Sequence, residues 1–366
     1  SGTSADPKGV MLTHRNIYLQ ALSASLTHES SPDSAHLHTI PLFHANGWAA
    51  AHTVTLRGAL HVMISRFEPV EVFRLIEQER VQSLSAVPAM AIALVNCSEF
   101  SKYDLSSLKW VNLGGAASSP SLVQDVEEKF GCACYAGYGL TETAPTLSTS
   151  KMKAGLGWEG EQRYAGQAMA GFAIPGVELR VVDGNDNDVA RDGEAVGEVI
   201  ARGDNVMKGY WKQPEATAEA MRGGWFHTGD MATWNQEGYV LIVDRKKDII
   251  VSGGENISSL EVEKKLLAHP AVLEVAVIPV PDEKWGEVPK ALVVLKAGER
   301  ATDTELIEFC RSRLAHFKCP QSVEFLNSLP KTGTGKVLKR ELRKKYWQGR
   351  ETIRPEFAAL KRQEAS

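Results

Sequence analysis

Apolar and polar positions change rhythm three times along the chain. Up to about residue 135, segments with apolar residues every three or four places alternate with short continuous apolar runs. A helix is expected after Thr13, whose hydroxyl suits an N-cap. HLHTIPLF and the apolar run ALHVMIS come next, then EPVEVFRLIEQERV with helical spacing. SLKWVNLGG reads as a buried strand closed by a glycine turn. SPSLVQDVEEKFG reads as a helix that starts at Ser119 or Pro120 and stops at Gly131. Such alternation predicts an α/β domain with a largely parallel sheet.

From about residue 160, glycine-rich turns separate the short strands GVELRVVDGND, GEVIARGD and GYVLIVDRKKD. That texture predicts an antiparallel, hairpin-rich subdomain. After Lys247 the rhythm changes again. SSLEVEKKLLAH is amphipathic, AVLEVAVIPV and VPKALVVLK read as strands, and TDTELIEFCRSRL is helical, giving a small α+β unit. The expected division is therefore 1–246, 247–347 and a tail, 348–366. Taken alone, the connecting DRKKD is an ordinary surface hairpin exit.

Composition narrows the class. With 366 residues, the chain is too long for one ordinary core. A formal charge of −4 and the lack of a lysine/arginine track argue against a nucleic-acid partner. The basic tail KVLKRELRKKYWQGR contains glutamate and reads as a solvated helix face. Cysteines at 97, 132, 134, 310 and 319 have no framework spacing, which predicts a reduced, intracellular protein. Cys132 and Cys134 are expected as core thiols. The best apolar run, AVPAMAIALV, is short and contains Pro88, so no transmembrane segment is expected. No charged-then-apolar leader is seen. A cytoplasmic protein is expected, with peripheral membrane contact left open.

Five stretches carry candidate chemistry. SGTSADPKGV lacks the Gly-Lys-Ser/Thr of a P-loop, but its amides and hydroxyls could surround a polyphosphate, with Lys8 adding charge. In isolation it reads first as a plain surface turn. YAGYGLTET places Tyr138 between glycines, where a ring can lie flat on a base, and offers Glu142 as a hard oxygen for magnesium. A tight turn with a packed aromatic fits it as well. GGWFHTGD ends in Asp230, a cap residue or a carboxylate able to accept two ribose hydroxyls. DRKKDIIVSGGENIS and PKTGTGKVLKREL complete the set, the latter holding Lys336 in a glycine-loosened loop.

In this order, the five stretches resemble the motifs of the adenylate-forming superfamily of acyl-CoA synthetases, luciferases and peptide-synthetase adenylation domains. The similarity runs from Ser1 to about Trp347. It implies a large α/β domain, incomplete at its start, with parallel-rich sheets and an antiparallel β subdomain, followed by a smaller mobile α+β domain. It also implies an ATP-dependent carboxylic acid–CoA ligase that passes through an acyl-adenylate, with Mg2+ as cofactor and ATP and CoA as co-substrates. By that resemblance Lys336 is the adenylation lysine and Lys247 the hinge. Ser1, Gly2, Thr3 and Lys8 address phosphates. Gly115, Ala116, Tyr138 and Gly139 face adenine. Asp230 holds the ribose with help from Arg245, Thr141 and Glu142 serve phosphate and metal, and Ser252, Gly253 and Gly254 leave room for CoA.

PLFHANGW matches the segment bordering the acyl site, with His44, Trp48 and Gly137 lining it; on position alone His44 reads as a loop histidine. No aspartate stands there for a substrate ammonium. Small residues at 136–137 leave depth, so a medium- or long-chain fatty acid is expected first and an aryl acid second. Ala5 replaces the family's usual glycine, and Val251 a lysine common in some relatives. A homodimer is compatible with this reading. Other readings are an acyl-AMP ligase for a carrier protein, although no insertion near the hinge is evident, a luciferase-like monooxygenase, or an inactive fragment that only binds.

Overall fold

The computed structural model describes residues 8–28, 31–246, 248–331 and 337–347. Ser1, Gly2, Thr3, Lys247 and Lys336 lie outside the described residues. Two compact units are present, one ending at Ile242 and the other beginning at Val243.

The first unit opens with strand β1 (Val10–Met11) and helix α1 (His14–Thr27). Thr13 caps α1 as expected: its Oγ accepts the Asn16 amide at 3.2 Å, and Asn16 Oδ1 accepts the Thr13 amide at 2.7 Å. Then come β2 (Ala35–His38), α2 (Ala45–Arg57), β3 (Leu60–Met63), α3 (Pro69–Gln78), β4 (Ser83–Ala86) and α4 (Pro88–Asn96). They are followed by β5 (Trp110–Gly114), α5 (Pro120–Phe130), β6 (Ala133–Gly139), β7 (Thr146–Thr149), α6 (Gly160–Gln167) and β8 (Phe172–Ala173). α5 is capped by Ser119 and stopped by Gly131 at φ 65°, as its sequence predicts. The sheet runs β3-β2-β4-β5-β6-β7-β8, parallel as far as β6 and antiparallel beyond it.

The two faces of this sheet differ in chemistry. Leu37, Val62, Leu84, Val111 and Leu113 point to one side and form a dry core with Phe73, Ile76, Leu94, Val123 and Val126 of α3, α4 and α5. Cys132 and Cys134 belong to this core, as expected; burial raises both thiols, Cys132 to about 12. The alternate positions, in register across β2, β4, β5 and β6, are His36, Ser83 and Trp110, then His38, Ser85, Asn112 and Tyr135. There His36 Nδ1 lies 2.9 Å from Ser83 Oγ, and His38 Nε2 lies 3.0 Å from His61 Nδ1 on β3. His61 reaches Thr55 of α2 at 3.1 Å, so α2 lies on this polar side.

The remainder of the unit is the expected hairpin-rich part: β9 (Val177–Val182), β10 (Gly197–Gly203), β11 (Gly209–Tyr210), α7 (Pro214–Ala220), β12 (Phe226–Trp234) and β13 (Val240–Arg245). Four strands form a sheet of order β13-β12-β10-β9, antiparallel where β10 meets β12 and β9, and β11 pairs with β1.

β13 carries the chain into the second unit. There β14 (Ile250–Ser252), β15 (Glu255–Ile257) and α8 (Ser259–Leu267) precede the long hairpin of β16 (Val272–Asp282) and β17 (Gly286–Leu295). α9 (Asp303–Arg311) leads to β18 (Ser322–Phe325), parallel to β17, and the described residues close with α10 (Lys339–Lys344). α8 and α9 cover one face of the sheet through Val262, Leu266, Leu306 and Cys310; Leu342 of α10 packs on the other with Ile278 and Leu292. One expectation fails here. The basic segment around α10 is not simply a solvated face, because Lys339 is enclosed against Glu263, and Arg343 pairs with Asp248. Burial alone would lower the Lys339 ammonium, but the Glu263 and Asp244 carboxylates outweigh it and raise its pKa.

Candidate active site

The candidate residues Gly115, Ala116, Tyr138 and Gly139 lie at the carboxyl ends of β5 and β6, where open parallel sheets place ligands. Gly114 and Gly137 are register partners there. A Cβ on Gly137 would lie 3.2 Å from Asn112 Oδ1, and one on Gly114 would lie 2.9 Å from Asn46 Nδ2 of α2, so both glycines let an amide side chain close in. Gly115 follows at φ 85°, a conformation that favours glycine and turns the chain, with Ala116 after it, away from the strand.

Beyond Tyr138 the chain makes a tight turn. A Cβ on Gly139 would stand 1.8 Å from the Pro145 carbonyl oxygen, leaving no room for a side chain. Thr141–Thr143 form a short 3-10 turn. Asn205 Nδ2 donates to the carbonyls of Thr143 at 2.9 Å and Thr146 at 2.8 Å, and the Met207 amide donates to the Glu142 carbonyl at 2.8 Å. Gly139→Ala is expected to destabilise the fold by about 2–3 kcal/mol, because the obstacle is backbone. A drop in the urea midpoint of unfolding at constant slope measures it.

Three contacts join motifs that are far apart in sequence. The Tyr138 hydroxyl donates to Asp230 Oδ2 at 2.7 Å, linking the residue expected at the base to the one expected at the ribose. Asp230 is buried, and its turn is held by Thr228 Oγ1, which accepts the Asp230 amide at 3.1 Å, and by Glu198 Oε1, which accepts the Gly229 amide at 3.1 Å. The Tyr210 hydroxyl donates to Glu142 Oε1 at 3.1 Å, and Lys8 Nζ lies 4.6 Å from the centre of the Tyr210 ring. The pairing of β1 with β11 brings this about, since Val10 is the partner of Tyr210. Burial and the neighbouring Glu142 raise the Tyr210 phenol, so it remains a donor.

Tyr210 and Glu198 escaped the sequence reading. GYW offers a glycine before an aromatic, as at Tyr138, but nothing local ties it to a carboxylate 68 residues away. His44 stands at the N-cap of α2 without using its side chain as a cap, and Trp48 follows one turn later, edge-on to His52 at 5.8 Å. Gly47 is fixed by packing: a Cβ there would meet the Pro41 carbonyl oxygen at 2.3 Å.

In the second unit, Arg245 ends β13, and Ser252, Gly253 and Gly254 form the turn from β14 to β15. Gly253 and Gly254 have φ of 58° and 91°. The Gly253 amide donates to the Trp285 carbonyl at 2.8 Å, and a Cβ on Gly253 would approach the Trp285 ring to 2.6 Å. Backbone sign and the indole account for Gly253, whereas a Cβ on Gly254 would meet nothing within 4 Å.

The AMP-binding enzyme family matches residues 1–211, more than half of the chain, and the AMP-binding enzyme C-terminal domain matches residues 261–336. The chain belongs to the AMP-binding enzyme family. Among curated AMP-binding enzymes it is 40% identical to 4-hydroxybutyrate–CoA ligase 2 of Metallosphaera sedula, over 94% of this chain and 62% of that protein. It is also 40% identical to feruloyl-CoA synthase of an Amycolatopsis species, over 94% of this chain and 68% of that one. ATP-bound MatB from Rhodopseudomonas palustris superposes with a TM-score of 0.85 at 30% identity, covering 94% of this chain and 67% of MatB. The chain thus spans about three-fifths to two-thirds of these relatives' lengths. Among the described residues no helix is long and apolar enough to cross a membrane.

Proposed function

We propose that the chain performs ATP-dependent ligation of a carboxylic acid to CoA through an acyl-adenylate. The observation that carries this reading is the Tyr138–Asp230 hydrogen bond at 2.7 Å, which joins two nucleotide motifs 92 residues apart. In this reading Gly115, Ala116, Tyr138 and Gly139 border the adenine, and Asp230 accepts from the ribose with Arg245 assisting. Ser1, Gly2, Thr3, Lys8 and Thr141 address the phosphates. Lys336 neutralises charge between acid and α-phosphate, and rotation about Lys247 then brings Ser252, Gly253 and Gly254 to the thiol. His44 stands near the acid.

A magnesium ion fits the donor set. Glu142 offers a carboxylate held by Tyr210, and nucleotide phosphates and water would supply the other oxygens. Bound there, the ion would offset phosphate charge.

Tyr138→Phe is expected to raise KM for ATP about tenfold with little change in kcat. A hydrogen bond to a carboxylate contributes roughly 1.5–3 kcal/mol, and its loss leaves Asp230 less well oriented. Pyrophosphate release against ATP concentration measures it.

For the acid, a short or aryl substrate is placed ahead of the medium- or long-chain fatty acid expected from sequence. On the strand face below Gly137, Asn112 lies against Gly137 and the Trp110 and Tyr135 rings are 6.0 Å apart, a lining of polar and aromatic groups that favours a short or aryl acid over an alkyl chain. The relatives named for 4-hydroxybutyrate and ferulate agree with that order. Incubation with ATP, magnesium, CoA and a panel of acids, following pyrophosphate and thioester, tests the whole reading. Pyrophosphate without thioester points to a carrier-protein ligase; neither product from a folded sample overturns the proposal.

A further inference from the structure

The second unit holds a buried charged cluster that the function above does not use. Lys339 Nζ lies 2.7 Å from Glu263 Oε1 and 2.5 Å from Ser259 Oγ, with the Lys339 and Glu263 side chains only 13% and 12% exposed. Ser259 donates its amide and hydroxyl to Asp244 Oδ2 at 2.5 and 2.7 Å. One turn further along α10, Arg343 Nη2 lies 2.9 Å from Asp248 Oδ1, again largely buried. Upstream of α10, the Leu338 amide donates to the Pro330 carbonyl at 2.8 Å, and Val337 bridges to Lys331. α10 is therefore fastened at its base and at two successive cationic positions. Asp248, which holds Arg343, directly follows Lys247 in sequence, and Lys336 precedes Val337 by one peptide bond.

Buried ion pairs are poor sources of net stability, because desolvation consumes most of the attraction. Their directionality is the better account: paired charges accept one geometry where apolar side chains would accept many. We propose that Arg343–Asp248 and Lys339–Glu263 are positioning contacts that fasten α10, and with it the attachment point of Lys336, to the segment that follows the hinge and to α8, so that they move as one body. This rests on the assignments of Lys336 and Lys247 above. It adds that hinge rotation is transmitted to the lysine through α10 rather than absorbed by slack in the chain between them.

The test uses the whole chain and three variants: Arg343→Met, the conservative Arg343→Lys, and Lys339→Met combined with Glu263→Gln, which removes both buried charges together. Adenylation is read as ATP–pyrophosphate exchange, the second half as thioester formation from supplied acyl-adenylate, and mechanical coupling as amide hydrogen exchange. Arg343→Met is expected to lower kcat of adenylation about tenfold at unchanged KM for ATP, with thioester formation within twofold. Amide exchange should rise together over residues 245–250 and 331–338 while β16 stays protected. Arg343→Lys should recover most of the rate, and the double variant should behave like Arg343→Met. Unchanged exchange over 331–338 in both neutralised forms overturns the proposal, as does an equal loss in both half-reactions. If the unaltered chain makes no pyrophosphate with any acid, the ligase reading fails, and the exchange measurements alone then decide the coupling.

Discussion

Replacement of Lys336 by alanine is expected to slow adenylation a hundred- to a thousandfold. The first half-reaction brings a carboxylate to a triphosphate, and repulsion between anions has to be met by fixed positive charge. An ammonium 4 Å from an oxyanion contributes about 4 kcal/mol at an effective dielectric of 20. Removal of a preorganised donor of this kind ordinarily costs roughly a hundred- to a thousandfold in rate. The second half-reaction expels AMP and does not need that charge, so thioester formation from supplied acyl-adenylate should change less than about threefold. Single-turnover measurement of each half separates the two. Equal losses in both would remove Lys336 from its assigned role.

The second large effect is on stability against pH and arises on the polar face of the seven-stranded sheet. Burial lowers His36 to about 3, with His38, His28 and His61 adding to the effect. Burial likewise lowers His28 to about 4, helped by Lys151, and His38 to about 4, helped by His61. In the unfolded chain these imidazoles titrate near 6.5. Above that value neither state binds the protons. Below it the unfolded state takes them up and the folded state does not, so stability falls as pH drops, until the folded values near 4 and 3 are passed. Each group contributes about 1.4 kcal/mol per pH unit across that interval. His36 and His38 are enclosed and carry most of the effect, while His28 is only half-buried and carries less. A loss of roughly 3–5 kcal/mol between pH 6.5 and 5 is expected, a large share of the stability of many domains. Urea midpoints across this range measure it, and His36→Asn should flatten the slope. A midpoint independent of pH down to 5 would falsify this account of the face.

Elements were more legible in the sequence than their partners. The Thr13 cap, the Ser119 and Gly131 limits of α5 and the buried run of β5 depend on neighbours a few residues away, and the pattern of side chains records them directly. The polar face was only half visible. HLH alternates, but it does not say that His36 would meet Ser83 or His38 would meet His61, because register between strands is settled by packing. Tyr210 could not be read as a neighbour of Glu142 for the same reason: the link runs through the pairing of two-residue strands that carry little pattern. Lys339 was misjudged because a helical segment rich in lysine and arginine reads as a wet surface, and the acids that enclose it, Glu263 and Asp244, come from distant parts of the unit. The contact of Gly253 with Trp285 was likewise hidden, since the indole approaches from another hairpin.

The unlike faces of the large sheet imply unlike tolerance to sequence drift. On the apolar side, Leu37, Val111 and Leu113 can exchange with other aliphatics of similar volume, because shape and bulk are all that their neighbours require. On the other side, His36 and Ser83, or His38 and His61, are joined by directional bonds. A single change strands a buried partner, and only concerted replacement of both members restores the balance. Variation among homologues should therefore be scattered along one side of these strands and correlated in pairs along the other.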